Sequence, residues 1–276
     1  MSYPIEEIIE TNKFSHLHDG ERIFFCKTDY IQTIANVPSA FDITSSVPHE
    51  VILITGNSDY AIDNRHVKNK PQNIVKWFCV NKHSQSDELT AIPTGIENSA
   101  KCKIGIEHGY VWDHAPEKHK ILSELRPKEP TKLIYANFTL ASGRHPSREI
   151  WKNIALESNH ITWEENNLEY ADFCSHILDH EAALCPQGNI HVPEGDNHRI
   201  YEVLYAGRIP VIHAQDYYQK MHHKFPVILI EDLNLIADEK FMKSEIDKVK
   251  SQTYDPKYLK FSYWKDLILK ERNKLK

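Results

Sequence analysis

LCPQGNIHVPEGDNHRIYEVLYAGRIPVIH, residues 184–213, is the stretch on which the reading of this chain turns. It runs from an apolar strand end through a Gly/Asn loop into a helix. Asp196 and Asn197 are both good helix N-caps, and Ile200, Val203 and Leu204 then fall on one apolar face. Gly207 provides a left-handed stop, and residues 209–213 are a short apolar run with Pro210 near its start, where a strand tolerates proline. Strand, loop, helix and strand in quick succession are the βαβ unit of a parallel sheet. Ligands of such sheets sit outside the carboxyl ends of the strands, against helix N-termini whose free N–H groups attract anions.

Working outward, similar apolar, β-rich runs occupy residues 22–26, 51–55, 74–80, 132–136, 182–185 and 227–230. Helical patterns intervene at residues 147–157, 168–178, 197–206 and 238–250. The alternation predicts an α/β fold with largely parallel sheets. RPKEPTK at residues 126–132, charged and marked by two prolines, is the best linker candidate. It divides the chain into an N-terminal lobe, residues 1–127, and a C-terminal lobe, residues 128–276, each Rossmann-like. The last segment, residues 258–276, spaces aromatic and aliphatic residues among lysines at helical intervals. It reads as an amphipathic helix docked back on the N-terminal lobe, or as a peripheral membrane contact.

Composition narrows the function classes. The chain has 276 residues, 41% of them hydrophobic and 26% charged, which is ordinary for a folded globular protein and leaves ample material for buried cores. A net charge of -6 argues against nucleic acid as the main partner, because phosphate-backbone binding requires a basic surface. Five cysteines, Cys26, Cys79, Cys102, Cys174 and Cys185, form no C-x-x-C pair and read as buried thiols of a reducing compartment. The first residues, MSYPIEEIIETNKF, carry acids where a secretory leader has bases, and no apolar run reaches the length of a membrane span. A cytoplasmic protein is expected.

Within the opening stretch, Arg199 lies in the first turn of the helix and Glu202 is its neighbour on the same face. A guanidinium holds phosphate oxygens and a carboxylate accepts hydrogen bonds from ribose hydroxyls, so the pair suits a nucleoside diphosphate. An exposed helical ion pair explains the same spacing.

The same residues resemble the C-terminal signature of the exostosin-like glycosyltransferases, family 47. Cys185, Pro186, Gly188, Asn189, Asp196, His198, Arg199, Glu202, Leu204, Gly207, Ile209, Pro210 and Val211 carry the likeness. ILITGNSDYAID at residues 52–63, KWFCVN at 76–81 and IPTGIEN at 92–98 resemble the bacterial and viral members of that group. The resemblance extends over roughly residues 51–229. Gln187 stands where the family has arginine, and the loop at residues 190–195 is longer than the pattern. The resemblance implies a GT-B-like arrangement, two Rossmann-like lobes with parallel sheets facing a cleft, with the donor nucleotide held by the second lobe and the acceptor approached from the first.

The implied activity is that of an inverting glycosyltransferase moving a monosaccharide from a UDP-sugar, or another nucleotide-sugar donor, to a hydroxyl of an oligosaccharide or glycoprotein glycan. A GDP-sugar-dependent, fucosyltransferase-like enzyme is the nearest alternative, and a non-catalytic glycan-binding module, suggested by Gln187, is another. Donor-binding candidates are Arg144, Gly188, Asn189, His198, Arg199 and Glu202. Arg144, in the loop before residues 147–157, faces the same sheet edge as Arg199, and two guanidiniums would neutralise the departing diphosphate; a solvent-facing loop base is its plainer role. His198 is a donor to phosphate or sugar, or a histidine packed at the cap. An inverting reaction needs a base for the acceptor hydroxyl. Asp59, in the turn after residues 51–55, is the first candidate, although Ser58 and Asp59 also suit a helix N-cap. Glu97 is the second candidate base, with a loop carboxylate accepting backbone N–H groups as its ordinary interpretation. Asp63 and His66 follow. No D-x-D triplet is present, and the 17 histidines show no convincing metal-ligand spacing, so no metal and no cofactor are expected.

Overall fold

A computed structural model describes residues 3–32, 38–100, 115–140, 147–165, 168–188, 196–214 and 220–276. The fold is α/β, with two main parallel sheets, consistent with Rossmann-like lobes. The first sheet has four strands in the order β1-β2-β4-β6, from β1 (Ile23–Lys27), β2 (Val51–Gly56), β4 (Ile74–Cys79) and β6 (Leu89–Ala91). The second has five, in the order β11-β10-β9-β7-β8, from β7 (Lys132–Ala136), β8 (Ile161–Trp163), β9 (His180–Leu184), β10 (Ile209–His213) and β11 (Ile228–Ile230). A two-stranded pairing of β3 (Ile62–Asp63) with β5 (Lys82–His83) sits beside the first sheet's strands in the chain.

The apolar runs are nearly continuous because these strands are largely buried on both faces. In β2, Ile52 and Ile54 enter one hydrophobic cluster while Val51 and Leu53 enter another, the period of two expected of a pleated strand. Val51–Gly56 is buried throughout. The second sheet behaves likewise. Ile134, Ala182, Leu184, Val211 and Ile228 pack against Trp151 and Ala155 of helix α5 (Ser147–Glu157) and against Met242 and Ile246 of the helix Glu239–Ser251. Tyr135, Ala183 and Ile212 point the other way, into a cluster with α6 (Tyr170–Leu178) and α7 (His198–Tyr205).

That cluster also holds Ile8, Phe14 and Ile54 from the first part of the chain and Trp264 from the last helix, Phe261–Arg272. One core is therefore shared between residues preceding and following position 127. Tyr205 is its polar pin: the hydroxyl accepts from the Ile9 N–H at 2.8 Å and donates to the Leu259 carbonyl at 2.9 Å. The terminal helix lies against the first part of the chain, with Phe261 edge-on to Phe14 and Arg272 paired to Asp19. Its apolar side is buried in protein, which accounts for the amphipathic pattern without a membrane. Among the described residues no helix is long and apolar enough to cross one.

Two glycines are demanded by geometry. Gly207 ends α7 at φ 70°, the left-handed stop expected from the sequence. Gly95 also has φ 70°, and a Cβ there would lie 2.1 Å from the carbonyl oxygen of Ile9, so only glycine admits the bridge between Glu10 and the 95–96 segment. Cys26, Cys79, Cys174 and Cys185 are buried free thiols. Cys102 lies outside the described residues.

Candidate functional site at the β7–β9 switch point

In the five-stranded sheet, the chain steps from β7 outward to β8 and then returns across β7 to place β9 on its other side. The strand order therefore reverses between β7 and β9, and the crevice at their carboxyl ends is where open α/β sheets bind ligands. Two helices begin beside it. The helix α5 follows β7 and α7 follows β9, and each carries an arginine as its second residue, Arg148 and Arg199. The positive end of a helix dipole disfavours a cation in the first turn. Two such cations flanking one crevice require a compensating anion or a dense set of acceptors.

Arg199 has acceptors. Its Nη1 donates to the Asn137 carbonyl at 2.8 Å, its Nε lies 3.1 Å from Glu202 Oε2, and its guanidinium rests 4.0 Å from the centre of the Phe173 ring. About a quarter of the side chain, 27%, remains accessible. Arg148 differs. It is 8% exposed, its Nε donates to the Gln187 carbonyl at 2.5 Å, and its Nη1 donates to the Thr139 carbonyl. Among the described residues no carboxylate is paired with it. Burial, reinforced by the charge of Arg199, pulls its pKa down to about 10. A guanidinium whose charged form is penalised this way is a group primed for an anion.

Gly188 completes this edge. Among the described residues, a Cβ placed on it would meet Arg148 Nη2 at 3.9 Å, so Gly188 lies directly beside that guanidinium. Gln187, which stands where the resembled family has arginine, is buried and serves through its backbone carbonyl.

The helix α7 is capped by Asn197, whose side chain accepts from the Ile200 N–H at 3.2 Å. Asp196, the other candidate cap, instead accepts from Thr94 N–H at 2.9 Å and from the Tyr201 hydroxyl at 2.6 Å. His198 donates from Nδ1 to the Gly95 carbonyl at 2.8 Å, leaving Nε2 as the second ring nitrogen. The start of α7 is thus moored to the 94–95 segment of the first half.

Glu202 is 3% exposed, which overturns its reading as part of an exposed helical pair. It is the centre of a buried charge cluster. Lys118 of helix α4 (Ala115–Glu124) places Nζ 2.9 Å from Glu202 Oε1 and 3.1 Å from Glu97 Oε2. Burial pushes the Glu202 carboxyl up, but Lys118 and then Arg199 outweigh it and hold the pKa below the ordinary value. Lys118 is likewise held up by Glu202 and Glu97 against burial. Beside this cluster His119 pairs with Glu10 at 3.0 Å, and both are buried.

The two candidate bases part company. Glu97 is 6% exposed and paired with the Lys118 ammonium. Asp59 is exposed in the bend after β2. It is not a helix cap: helix α3 (Asn64–Asn69) is capped by Asp63, whose carboxylate accepts from Arg65 N–H and His66 N–H. Asp63 is further paired with the Arg65 guanidinium at 2.7 Å, and its pKa falls to about 2 because these bonds exceed the effect of burial. Asp63 and His66 are thereby occupied with each other in a capping box. Ahead of Asp59, Asn57 adopts φ 51° and joins Asn12 and Asn98 in an amide network, with Asn57 Nδ2 2.8 Å from Asn12 Oδ1 and Asn98 Nδ2 3.1 Å from Asn57 Oδ1. Arg144 and Asn189 lie outside the described residues.

Arg148 and Lys118 are the residues that sequence reasoning missed. The signal for Arg148 was present, since PSRE and NHRI both put arginine in the first turn of a helix following a strand. Lys118, inside the charged run EKHK, looks like surface decoration until α4 is docked. Among the described residues no group of three or more His, Cys, Asp or Glu side chains is placed to hold a metal ion. No known protein-family model matches the chain, and no curated protein matches it.

Proposed function

We propose that the protein is an inverting glycosyltransferase of GT-B type, with a UDP-sugar as donor and a hydroxyl of a glycan as acceptor. The single observation that carries the reading is the convergence of Arg148 and Arg199 at the β7–β9 switch point, one of them buried without a carboxylate partner among the described residues. Two guanidiniums suit a diphosphate leaving group, whose developing charge they stabilise without a metal. The exostosin-like signature across residues 184–213 supports the same assignment. In this reading Arg148 joins Arg199 and Arg144 on the diphosphate, Gly188 and Asn189 border the nucleotide, and His198 Nε2 serves the phosphate or sugar. Glu202, fixed between Lys118 and Arg199, sets the geometry of Arg199 and offers its remaining lone pairs to the ribose.

Asp59 is the base of choice because it is exposed at a strand's carboxyl end, whereas Glu97 is tied to Lys118. A base must reach the acceptor hydroxyl and take its proton as the oxygen attacks the anomeric carbon from the face opposite the diphosphate.

Isothermal calorimetry with UDP, GDP and inorganic pyrophosphate tests the donor half. UDP and pyrophosphate are expected to bind, with UDP tighter; GDP preferred over UDP would move the donor to the alternative class, and no binding of any of the three would end the transferase reading. Asp59→Asn is expected to keep UDP affinity within about twofold and to lose at least roughly 100-fold in turnover of the active UDP-sugar, within the range that general-base catalysis contributes. Unchanged turnover would remove Asp59 from the mechanism.

A further inference from the structure

The carboxyl edge of the first sheet carries a feature that the donor chemistry does not use. The strands β1 and β2 are adjacent and parallel, with Lys27 opposite Gly56 at their ends. Each strand is followed within four residues by the same dipeptide, Asp29-Tyr30 after β1 and Asp59-Tyr60 after β2. Tyr30 is 47% exposed and Tyr60 49% exposed. Among the described residues these are the only phenylalanine, tyrosine or tryptophan side chains largely open to water; the others are buried or half-buried, as are Tyr135 on Phe173 and Tyr258 on Tyr263. Both exposed rings therefore follow the carboxyl ends of neighbouring strands, which run about 4.8 Å apart, each beside a carboxylate, Asp59 exposed and Asp29 half-buried.

Scattered exposed aliphatic residues need no explanation, but a paired repetition of ring and acid at one sheet edge does. A flat ring stacks on the apolar C–H face of a pyranose, and an adjacent carboxylate accepts hydrogen bonds from its hydroxyls. Nucleobases also stack on rings, yet Asp29 and Asp59 would repel their phosphates, and the chain is acidic as a whole.

We infer that Tyr30 and Tyr60, with Asp29 and Asp59, form a subsite for an uncharged glycan chain. The inference rests on the proposed function only in calling that chain the acceptor. It adds where the acceptor is held: Tyr60 follows Asp59, the proposed base, directly in the chain, and Tyr30 follows the neighbouring strand β1, so the two rings border the point of transfer. The acceptor is then an oligosaccharide whose sugars beside the reacting one rest on the rings.

The test uses the intact chain and a panel of neutral hexasaccharides: cellohexaose, maltohexaose, xylohexaose and chitohexaose. Binding is followed by saturation-transfer NMR and calorimetry without nucleotide. At least one of the panel is expected to bind, with affinity reduced roughly fivefold to tenfold by Tyr30→Ala and by Tyr60→Ala, and kept by the phenylalanine variants, which retain the ring. Both tyrosines are exposed, and an unchanged melting temperature in each variant verifies folding. No binding by any hexasaccharide, binding equal in wild type and both alanine variants, or a preference for a uronate-containing hexasaccharide over all four would overturn the inference. UDP binding is measured separately. Glycan binding through the tyrosines without UDP binding removes the transferase reading and keeps the subsite; UDP binding without glycan binding does the reverse.

Discussion

Lys118→Met is expected to lower the melting temperature by roughly 10 °C at pH 7. Lys118 is 7% exposed and neutralises two carboxylates at once, Glu97 at 3.1 Å and Glu202 at 2.9 Å. Removing one partner of a buried ion pair typically costs about 3–5 kcal/mol, because the remaining charge has lost both water and its counter-ion. For a chain of this size each kcal/mol corresponds to roughly 2–4 °C. Methionine keeps much of the length and apolar bulk of lysine, so the loss reports charge and not cavity.

The pH dependence separates this cause from general misfolding. In the wild type the Glu202 pKa is depressed, so its contribution is present above the ordinary carboxylate value and is lost as the pH falls through the lower, folded value. In the variant the Lys118 ammonium is gone from between Glu97 and Glu202, and protonation of Glu202 relieves the buried charge. The gap in melting temperature between wild type and variant should therefore shrink as the pH is lowered from 7 to 4.5. Scanning calorimetry at several pH values checks it. A gap that stays constant, or a loss under about 2 °C at pH 7, would mean that the cluster contributes little.

Arg148→Met should behave in the opposite way. Here the buried cation has no carboxylate partner among the described residues, and its charged form already suffers from burial and from Arg199. Its loss relieves that penalty while depriving the carbonyls of Gln187 and Thr139 of a donor, and these terms oppose each other. The melting temperature without ligand should change by no more than about 3 °C, on the order of 1 kcal/mol. Affinity for UDP and for pyrophosphate should fall by about 100-fold, since truncating one member of a desolvated charge pair costs roughly 2–5 kcal/mol of binding. Calorimetry on the same preparation gives both values. Retained pyrophosphate affinity would show that the crevice between β7 and β9 is not the anion site. The two lysine and arginine variants together separate a cation kept for stability from one kept for a ligand.

Much of the fold was legible in the residues. The runs at 51–55, 74–80, 132–136 and 209–213 became β2, β4, β7 and β10 with ends shifted by no more than a residue, because strands covered on both faces over most of their length are mostly apolar. The helix patterns at 147–157 and 197–206 became α5 and α7 for a related reason: one apolar stripe each, with Asn197 and Gly207 marking the ends of the second. The short strands β6 and β8 escaped, being three residues each with a threonine at the centre, too brief for a period and too mixed for an apolar run to register. The cap before α3 went to Asp63 and not to Ser58 or Asp59, because the chain first forms the β3 pairing with β5 and only then turns.

What the sequence determined by itself is a parallel α/β protein with an arginine at the start of a helix leaving a strand, since periodicity, caps and stops act over a few residues and leave their mark there. What only the tertiary structure decided is charge partnership. Glu202 and Arg199 are neighbours on one helix in any reading, but that Glu202 is buried, that it shares Lys118 with Glu97 some hundred positions earlier, and that Arg148 stands beside Arg199 without a carboxylate of its own among the described residues depend on strand order and helix docking. Coulombic interaction and desolvation follow distance through space, and distance along the chain carries almost no information about them.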